Sequence, residues 1–197
     1  MVKMADSNIT KRALAAALKE LMEHMSFSQI TISDICGKCD MSRKSFYYHF
    51  KDKYDLINWI FDTEFLSTAN MNPCRRKVDL LLDLCEYFYI NHKFYRNALQ
   101  VRGQNSFLEH FHELIYTTAT ERLGTVFEKT KMPELSANFL ADSFTCAFVR
   151  WMMERDPTPP EEFIDSLMFF SMEVSTYIYQ LIKMRQEEHT PILLKDR

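Results

Sequence analysis

The stretch from residue 31 to residue 53 holds side chains that suit contact with double-stranded DNA. Arginine and lysine can read guanine edges in the major groove. Tyrosine and histidine can donate hydrogen bonds to phosphate oxygens while their rings pack against sugars. A threonine hydroxyl and a lysine at helix starts suit flanking phosphates. The residues of these types are Thr31, Arg43, Lys44, Tyr47, Tyr48, His49 and Lys53.

The charge of the chain is unevenly distributed. Its formal net charge is −3, which argues against a protein that coats nucleic acid along its whole surface, because such binding depends on many phosphate contacts. Between Lys38 and Lys53, however, five basic residues stand against two acidic ones, a local net charge of +3. A DNA site on this chain must therefore be local.

Cys36 and Cys39 form a CxxC pair, which suggests a redox dithiol or half of a zinc site. The sequence has no second CxxC and no nearby pair of histidines to complete four ligands, and His110 and His112 would diverge on a helix. We therefore expect no metal, no cofactor and no enzymatic activity. The rival enzyme hypothesis predicts an exposed thiolate with a depressed pKa at this pair.

Aromatic residues are frequent in the C-terminal two thirds of the chain. They could line an apolar pocket for a small molecule, although such stripes are also typical of an ordinary packed core. The candidates for ligand contact are Cys85, Phe88, Tyr95, Phe107, Phe111, Phe144, Phe148 and Trp151. Both interpretations stay open.

The composition predicts that helices hold these residues in place. The 197 residues are 47% hydrophobic, with only three glycines but 16 phenylalanines, so the chain is too apolar to be disordered and poor in turn formers. We predict an all-α fold of about nine helices. Leu14, Leu18, Leu21 and Met25 share one face of the first helix.

Three short-range signals predict a helix-turn-helix. Thr31 and Asp34 match a capping box at the start of a helix that ends near Cys39. Asp40 then occupies a sharp turn, where the left-handed conformation is often required. Ser42 can cap a third helix over about residues 43–49, whose Phe46 and Phe50 point inward.

The rest of the chain predicts a helical bundle. Asp52 can cap a helix that runs to about Thr68. The segment 70–73 indicates a break, and Thr158-Pro159-Pro160-Glu161 is a strong helix start. Further helices are expected at about 75–91, 93–101, 106–129, 134–155 and 159–184. We divide the chain into a DNA-binding domain over 1–52, a sensing and dimerisation domain over 53–184, and a tail over 185–197.

Two stretches of the N-terminal region resemble the DNA-binding domain of TetR-family regulators. They are Ile30-Thr31-Ile32-Ser33-Asp34-Ile35 and Met41-Ser42-Arg43-Lys44-Ser45-Phe46-Tyr47-Tyr48-His49-Phe50-Lys51-Asp52-Lys53. The sequence departs from the family at Ser26 and Asp40, where glycine is frequent, and at Lys44, where a small residue is frequent. Residues 93–107 resemble a subgroup that includes regulators of dihydroxyacetone kinase operons.

The resemblance implies a function and a set of contacts. It implies a homodimeric transcription regulator that binds a palindromic operator, by default a repressor controlled by an effector in the C-terminal bundle. The alternative is an activator controlled by a partner protein. No apolar run is long enough to cross a membrane, and we expect a cytoplasmic protein. The implied DNA contacts are Thr31, Ser42, Arg43, Lys44, Ser45, Tyr47, Tyr48, His49 and Lys53.

Overall fold

The computed structural model describes residues 2–67, 77–101, 103 and 105–188. All regular structure in these ranges is helical, which confirms the predicted fold class. The nine α-helices are α1 (Val2–Met22), α2 (Ile32–Lys38), α3 (Arg43–His49), α4 (Lys53–Phe61), α5 (Lys77–Ile90), α6 (His92–Leu99), α7 (Phe107–Phe127), α8 (Pro133–Met153) and α9 (Pro160–Glu188).

The first three helices share a small apolar core. Leu14 and Leu18 of α1, Ile35 of α2 and Phe46 of α3 are all fully buried. Burial of such side chains contributes about 1.5–3 kcal/mol each, which gives this three-helix unit its main source of stability.

The predicted caps of α2, α3 and α4 are confirmed. Thr31 and Asp34 form the reciprocal capping box, the Ser42 hydroxyl accepts the Ser45 N–H, and the Asp52 carboxylate accepts the N–H groups of the first turn of α4. Asp40 has a φ of 53° and thus adopts the left-handed conformation expected at the turn.

A π-helical segment, Asp62–Leu66, continues α4. It places Glu64 beside α1, where both carboxylate oxygens lie 2.6 Å from Lys19 Nζ, and the Tyr87 hydroxyl on α5 donates to Glu64 at 2.9 Å. Tyr87 in turn lies 2.8 Å from the Tyr95 hydroxyl on α6. The π-helical segment therefore joins α1 to the bundle through polar contacts.

The bundle core is aromatic. Phe61, Phe88, Phe107, Phe111 and Phe148 are fully buried and come from four helices, α4, α5, α7 and α8. Their neighbouring rings lie between 4.6 Å (Phe111 and Phe148) and 6.4 Å (Phe107 and Phe111) apart, within the range of favourable edge and offset contacts.

The chain divides into two compact units, residues 1–157 and 158–197. The second unit is built on α9, a 29-residue helix that starts at a proline, as the sequence predicted. Its exposed large apolar side chains include Phe169, Phe170, Tyr177 and Tyr179. Among the described residues, no helix is long and apolar enough to cross a membrane.

Several predicted boundaries differ from the observed ones. Helix α1 begins at Val2, well before the apolar stripe, and ends at Met22, so Met25 lies in the following loop. Helix α9 continues to Glu188, beyond the predicted limit at 184, because its last turns have no breaker. The predicted break at 70–73 and residues 189–197 lie outside the described residues.

Candidate nucleic-acid interface

The recognition helix α3 is held by aromatic packing on one side. Phe46 is 0% exposed, and its ring centroid lies 5.8 Å from that of Phe50. Phe50 packs in turn against Trp59 of α4 at 5.7 Å, and Lys11 Nζ of α1 lies 5.3 Å from the Phe50 ring. Helix α3 is therefore fixed to both α1 and α4.

The opposite side of α3 is open and polar. Arg43 and Lys44 are exposed in its first turn, and Tyr47 and Tyr48 are 51% and 78% exposed one turn later. Positions separated by four residues lie on the same helix face. The structure thus brings these four predicted contact residues together on a surface that a DNA groove could reach.

The two predicted serine contacts lie at the start of α3. Ser42 is exposed, and its hydroxyl oxygen accepts the Ser45 N–H at 3.1 Å. Ser45 is half-buried. The hydroxyl hydrogen of Ser42 is not required by the cap and can be donated to a phosphate oxygen.

Thr31 occupies the equivalent position at the start of α2. Its hydroxyl accepts the Asp34 N–H at 3.2 Å and donates to Asp34 Oδ2 at 2.7 Å, while the Thr31 N–H donates to the same oxygen at 2.8 Å. These side-chain and backbone bonds from Thr31 lower the pKa of the Asp34 carboxyl. Thr31 is exposed, but its hydroxyl already donates and accepts within the capping box.

His49, the last residue of α3, is half-buried. Its Nδ1 lies 3.5 Å from the Ser7 hydroxyl of α1, and its ring packs edge-on against Tyr48 at 4.8 Å. Burial, and to a lesser extent the nearby Lys11 charge, lowers the pKa of His49 and so favours the neutral imidazole. A neutral ring can still offer an N–H to DNA.

Lys53 lies at the start of α4, as expected, and its ammonium group bonds to the loop between α1 and α2. Its ammonium group donates to the backbone carbonyls of Phe27, Ser28 and Ile30 at 2.7, 3.2 and 2.7 Å, and lies 4.7 Å from the centre of the Phe27 ring. Burial lowers the pKa of Lys53. These bonds use all three donors of the lysine, so a phosphate would have to displace one of the carbonyls.

Asn97 of α6, which the sequence analysis did not single out, bonds to the loop between α1 and α2. Its Oδ1 accepts the Phe27 N–H at 2.8 Å, and its Nδ2 donates to the Met25 carbonyl at 2.9 Å. Lys53 and Asn97 together hold the loop between α1 and α2. No local sequence signal indicates either role, because the partners are distant along the chain.

The eight residues proposed to contact a ligand form a close-packed cluster. Seven are buried, and Phe144 is half-buried. The Phe88 ring lies 4.5 Å from Tyr95, 4.8 Å from Phe148 and 5.4 Å from Phe111. These side chains fill the space between one another, as in an ordinary protein core.

An open groove of about 870 Å³ lies beside this cluster, bordered by α4, the start of α7 and the middle of α8. None of the eight predicted ligand residues lines it. Two buried polar atoms in its wall, Asn58 Oδ1 and the hydroxyl of Thr145, have no hydrogen-bond partner within the described ranges. His110 and His112 also line it, each bonded at 2.8 Å to an aspartate, Asp62 and Asp142 respectively.

Cys36 and Cys39, the CxxC pair, have the features of packing residues and not of a redox-active dithiol. Cys36 is buried and Cys39 half-buried, and burial is the main cause that raises the pKa of both thiols. This contradicts the exposed, acidic thiolate that the enzyme hypothesis requires. Across the parts of the chain that the structure describes, no group of three or more metal-ligating side chains could hold a metal ion.

Comparison with known proteins identifies the family. Residues 13–60 match the family model of bacterial regulatory proteins of the tetR family, and residues 78–173 match a transcriptional regulator C-terminal region. The HTH-type dhaKLM operon transcriptional activator DhaS of Lactococcus lactis is 28% identical over 149 residues, which cover 75% of this chain and 76% of that protein.

Solved structures share the fold. A TetR transcriptional regulator from Streptococcus agalactiae superposes with a TM-score of 0.68 at 22% identity, covering 86% of this chain and 97% of that one. The dihydroxyacetone kinase operon activator DhaS gives a TM-score of 0.60 at 21% identity, covering 84% and 97%. With matching family models in both its N-terminal and its C-terminal region, this chain belongs to the TetR family of DNA-binding transcription regulators, which are not enzymes.

Proposed function

We propose that the protein binds a palindromic operator as a homodimer and places α3 of each protomer in a major groove. The observation that carries this proposal is the two-sided character of α3, with Phe46 fully buried and Tyr47 and Tyr48 largely exposed. A slim helix with donors at its N-terminal end fits the major groove. A two-fold dimer then sets two such helices about one or more DNA turns apart.

The contacts divide into two kinds. Arg43 and Lys44 are the candidates for reading base edges, because they lie in the first turn of α3 and are exposed. Tyr47, Tyr48 and the Ser42 hydroxyl are the candidates for phosphate and sugar contacts, which set the position of the helix along the duplex.

Exposed apolar side chains support the homodimer. Phe139 and Leu135 of α8 are exposed, and α9 on its own exposes many more apolar residues, including Phe170 and Tyr177. Exposed large apolar side chains that cluster along a helix are usually covered by a protein partner. A second copy of the chain would cover the same surface on both protomers by symmetry.

Control by an effector is the second part of the proposal. The groove beside Asn58 and Thr145 offers unpaired hydrogen-bonding atoms, which favour a polar small molecule over an apolar one. Such a ligand shifts operator binding only by the difference between its affinities for the DNA-bound and free conformations. With a repressor, effector binding lowers the affinity for the operator.

A mobility-shift assay with the DNA upstream of the gene tests the proposal. Tyr47→Ala and Lys44→Ala should weaken binding, whereas Lys129→Ala, which removes an exposed charge next to the C-terminal end of α7, should leave it unchanged. Size-exclusion chromatography with light scattering checks the dimer. Equal binding by the wild type and the two α3 variants contradicts the proposed interface.

An activator controlled by a partner protein is the second candidate. Two observations favour it: the predicted ligand residues pack against one another, and the relative DhaS is described as an activator. Deleting the gene and measuring transcription of its neighbours separates the two modes, because loss of a repressor raises transcription and loss of an activator lowers it.

A further inference from the structure

A second groove, of about 400 Å³, lies where the end of α1 and the following loop meet α6 and Arg155. We call it the basic groove and define it by Lys93, Arg96, Asn97 and Arg155. None of its lining residues belongs to the larger groove beside Thr145 or to the exposed face of α3.

The charges of the basic groove are not balanced. Lys93, Arg96 and Arg155 form no ion pair or hydrogen bond within the residues that the structure describes. The one carboxylate in the lining belongs to Glu23. Three cations against one carboxylate leave a formal charge of +2 in one concave site, which is the kind of field that attracts an anion.

Arg96 is also incompletely bonded. Its Nε is buried and has no acceptor among the described atoms. An ionised donor without an acceptor is unfavourable, and a bound oxyanion would supply the missing partner. Arginine is especially suited to this role because its planar guanidinium can form two parallel bonds to a phosphate.

The start of α6 adds to the positive field. His92 and Lys93 are the first two residues of this eight-residue helix, and both line the groove. The Asn91 side chain does not cap the helix. The N-terminal end of a helix carries a partial positive charge, so the backbone and the side chains favour the same kind of ligand.

We propose that the basic groove binds a small phosphorylated metabolite. The doubly negative charge of a phosphate group matches the charge of +2, and about 400 Å³ leaves space for a small organic group beside it. The site is separate from the effector groove of the proposed function. It makes this chain responsive to a second, anionic signal.

The groove is placed where it can affect DNA binding. Asn97 lines it and also holds the backbone of Met25 and Phe27, and Met25 itself is part of the lining. An anion bound to Lys93 and Arg96 would therefore sit against the loop that leads into α2. If the anion binds more tightly to one conformation of this loop than to another, its binding changes the affinity of the protein for DNA.

Isothermal titration of the full-length protein with inorganic pyrophosphate, without DNA, tests the site. Sodium chloride at matched ionic strength controls for general screening. We expect saturable binding to the wild type, weakened about tenfold or more in Arg96→Gln and in the more exposed Lys93→Gln. Lys129→Gln, which removes one exposed charge elsewhere, should bind as the wild type does.

Two results would overturn the proposal: no saturable binding by the wild type, or equal binding by the wild type and the well-folded Lys93→Gln variant. Circular dichroism checks folding, and Lys93→Gln keeps the test valid if Arg96→Gln is unstable. Because the titration contains no DNA, its outcome is independent of operator recognition.

Discussion

Asn97 of α6 holds the backbone of Phe27, 70 residues away in sequence, by accepting its N–H at 2.8 Å. The same carboxamide donates to the Met25 carbonyl at 2.9 Å, so it pairs with one backbone N–H and one backbone carbonyl of the loop. Helix α6 belongs to the bundle and the loop leads into α2. We therefore expect a displacement of α6 to move this loop.

Asn97→Ala should lower the free energy of unfolding by about 1–3 kcal/mol, because it leaves a part-buried N–H and a carbonyl without partners. Urea denaturation followed by circular dichroism measures the change. Asn138→Ala is the matched control, since the Asn138 amide bonds within its own helix, to the Glu134 carbonyl. Equal destabilisation by both variants would show that the loop contact has no special role.

Tyr48→Ala and Phe46→Ala should separate DNA binding from folding. Phe46 is fully buried, so its truncation should cost about 3–5 kcal/mol of stability. Tyr48 is largely exposed, and its truncation should change stability by about 0.5 kcal/mol or less while weakening operator binding. Thermal unfolding and a fluorescence-anisotropy titration measure the two quantities. A Tyr48→Ala protein with wild-type affinity for DNA contradicts the proposed contact.

Lys44 and Lys53 should differ in the salt dependence of DNA binding. The charge of Lys44 in the major groove would lie close to the phosphates of both strands, so Lys44→Ala should reduce the slope of log K against log salt by up to about 0.9. Lys53→Met should leave the slope unchanged and instead lower stability by about 2 kcal/mol, because its ammonium bonds to three carbonyls.

Titrations at four salt concentrations measure these slopes. A decrease in slope for Lys53→Met as large as that for Lys44→Ala would mean that the Lys53 ammonium leaves the loop to contact phosphate. Lys51→Ala is a useful comparison, because Lys51 is exposed and lies two residues before Lys53 in the chain.

The sequence predicted features that depend on near neighbours in the chain. The caps at Thr31, Ser42 and Asp52 and the left-handed Asp40 all follow from residue types within a few positions of one another. The roles of Lys53 and Asn97 could not be predicted in this way. Their partners lie 23 or more residues away, so only the tertiary fold brings the groups together.

The aromatic residues proposed to contact a ligand show a second limit of prediction from the sequence. A pocket wall and a packed core were both open interpretations, and both place residues such as Phe88 and Phe148 inside the protein, where the structure has them. The sequence pattern cannot distinguish a side chain that lines an empty space from one that fills it. The groove beside Thr145 was missed for the same reason, because its polar residues have no distinctive spacing.

Cys36 and Cys39 should react slowly with iodoacetamide at pH 7 in the folded protein, because burial raises the pKa of both thiols and restricts access. The exposed Cys146 should react faster and serves as an internal reference. Peptide mass mapping over time gives each rate separately. Modification of Cys36 or Cys39 faster than Cys146 would restore the dithiol hypothesis.

The capping box should make the stability of the helix-turn-helix depend on pH in the acidic range. Hydrogen bonds from Thr31 lower the pKa of Asp34 below its ordinary value of 3.8, so the folded state favours the ionised carboxylate. The stabilisation is fully present above that value and is lost as the pH falls through the lower pKa of the folded state. Asp34→Asn removes this contribution at every pH.

The melting temperature of the wild type should therefore exceed that of Asp34→Asn at pH 7, and the two should converge below about pH 3.8. Asp40→Asn is the matched control, because asparagine also tolerates the left-handed turn and no capping bond to Asp40 is seen among the described residues. If the difference in melting temperature between the wild type and Asp34→Asn persists unchanged to pH 2, Asp34 acts through its shape and not through its charge.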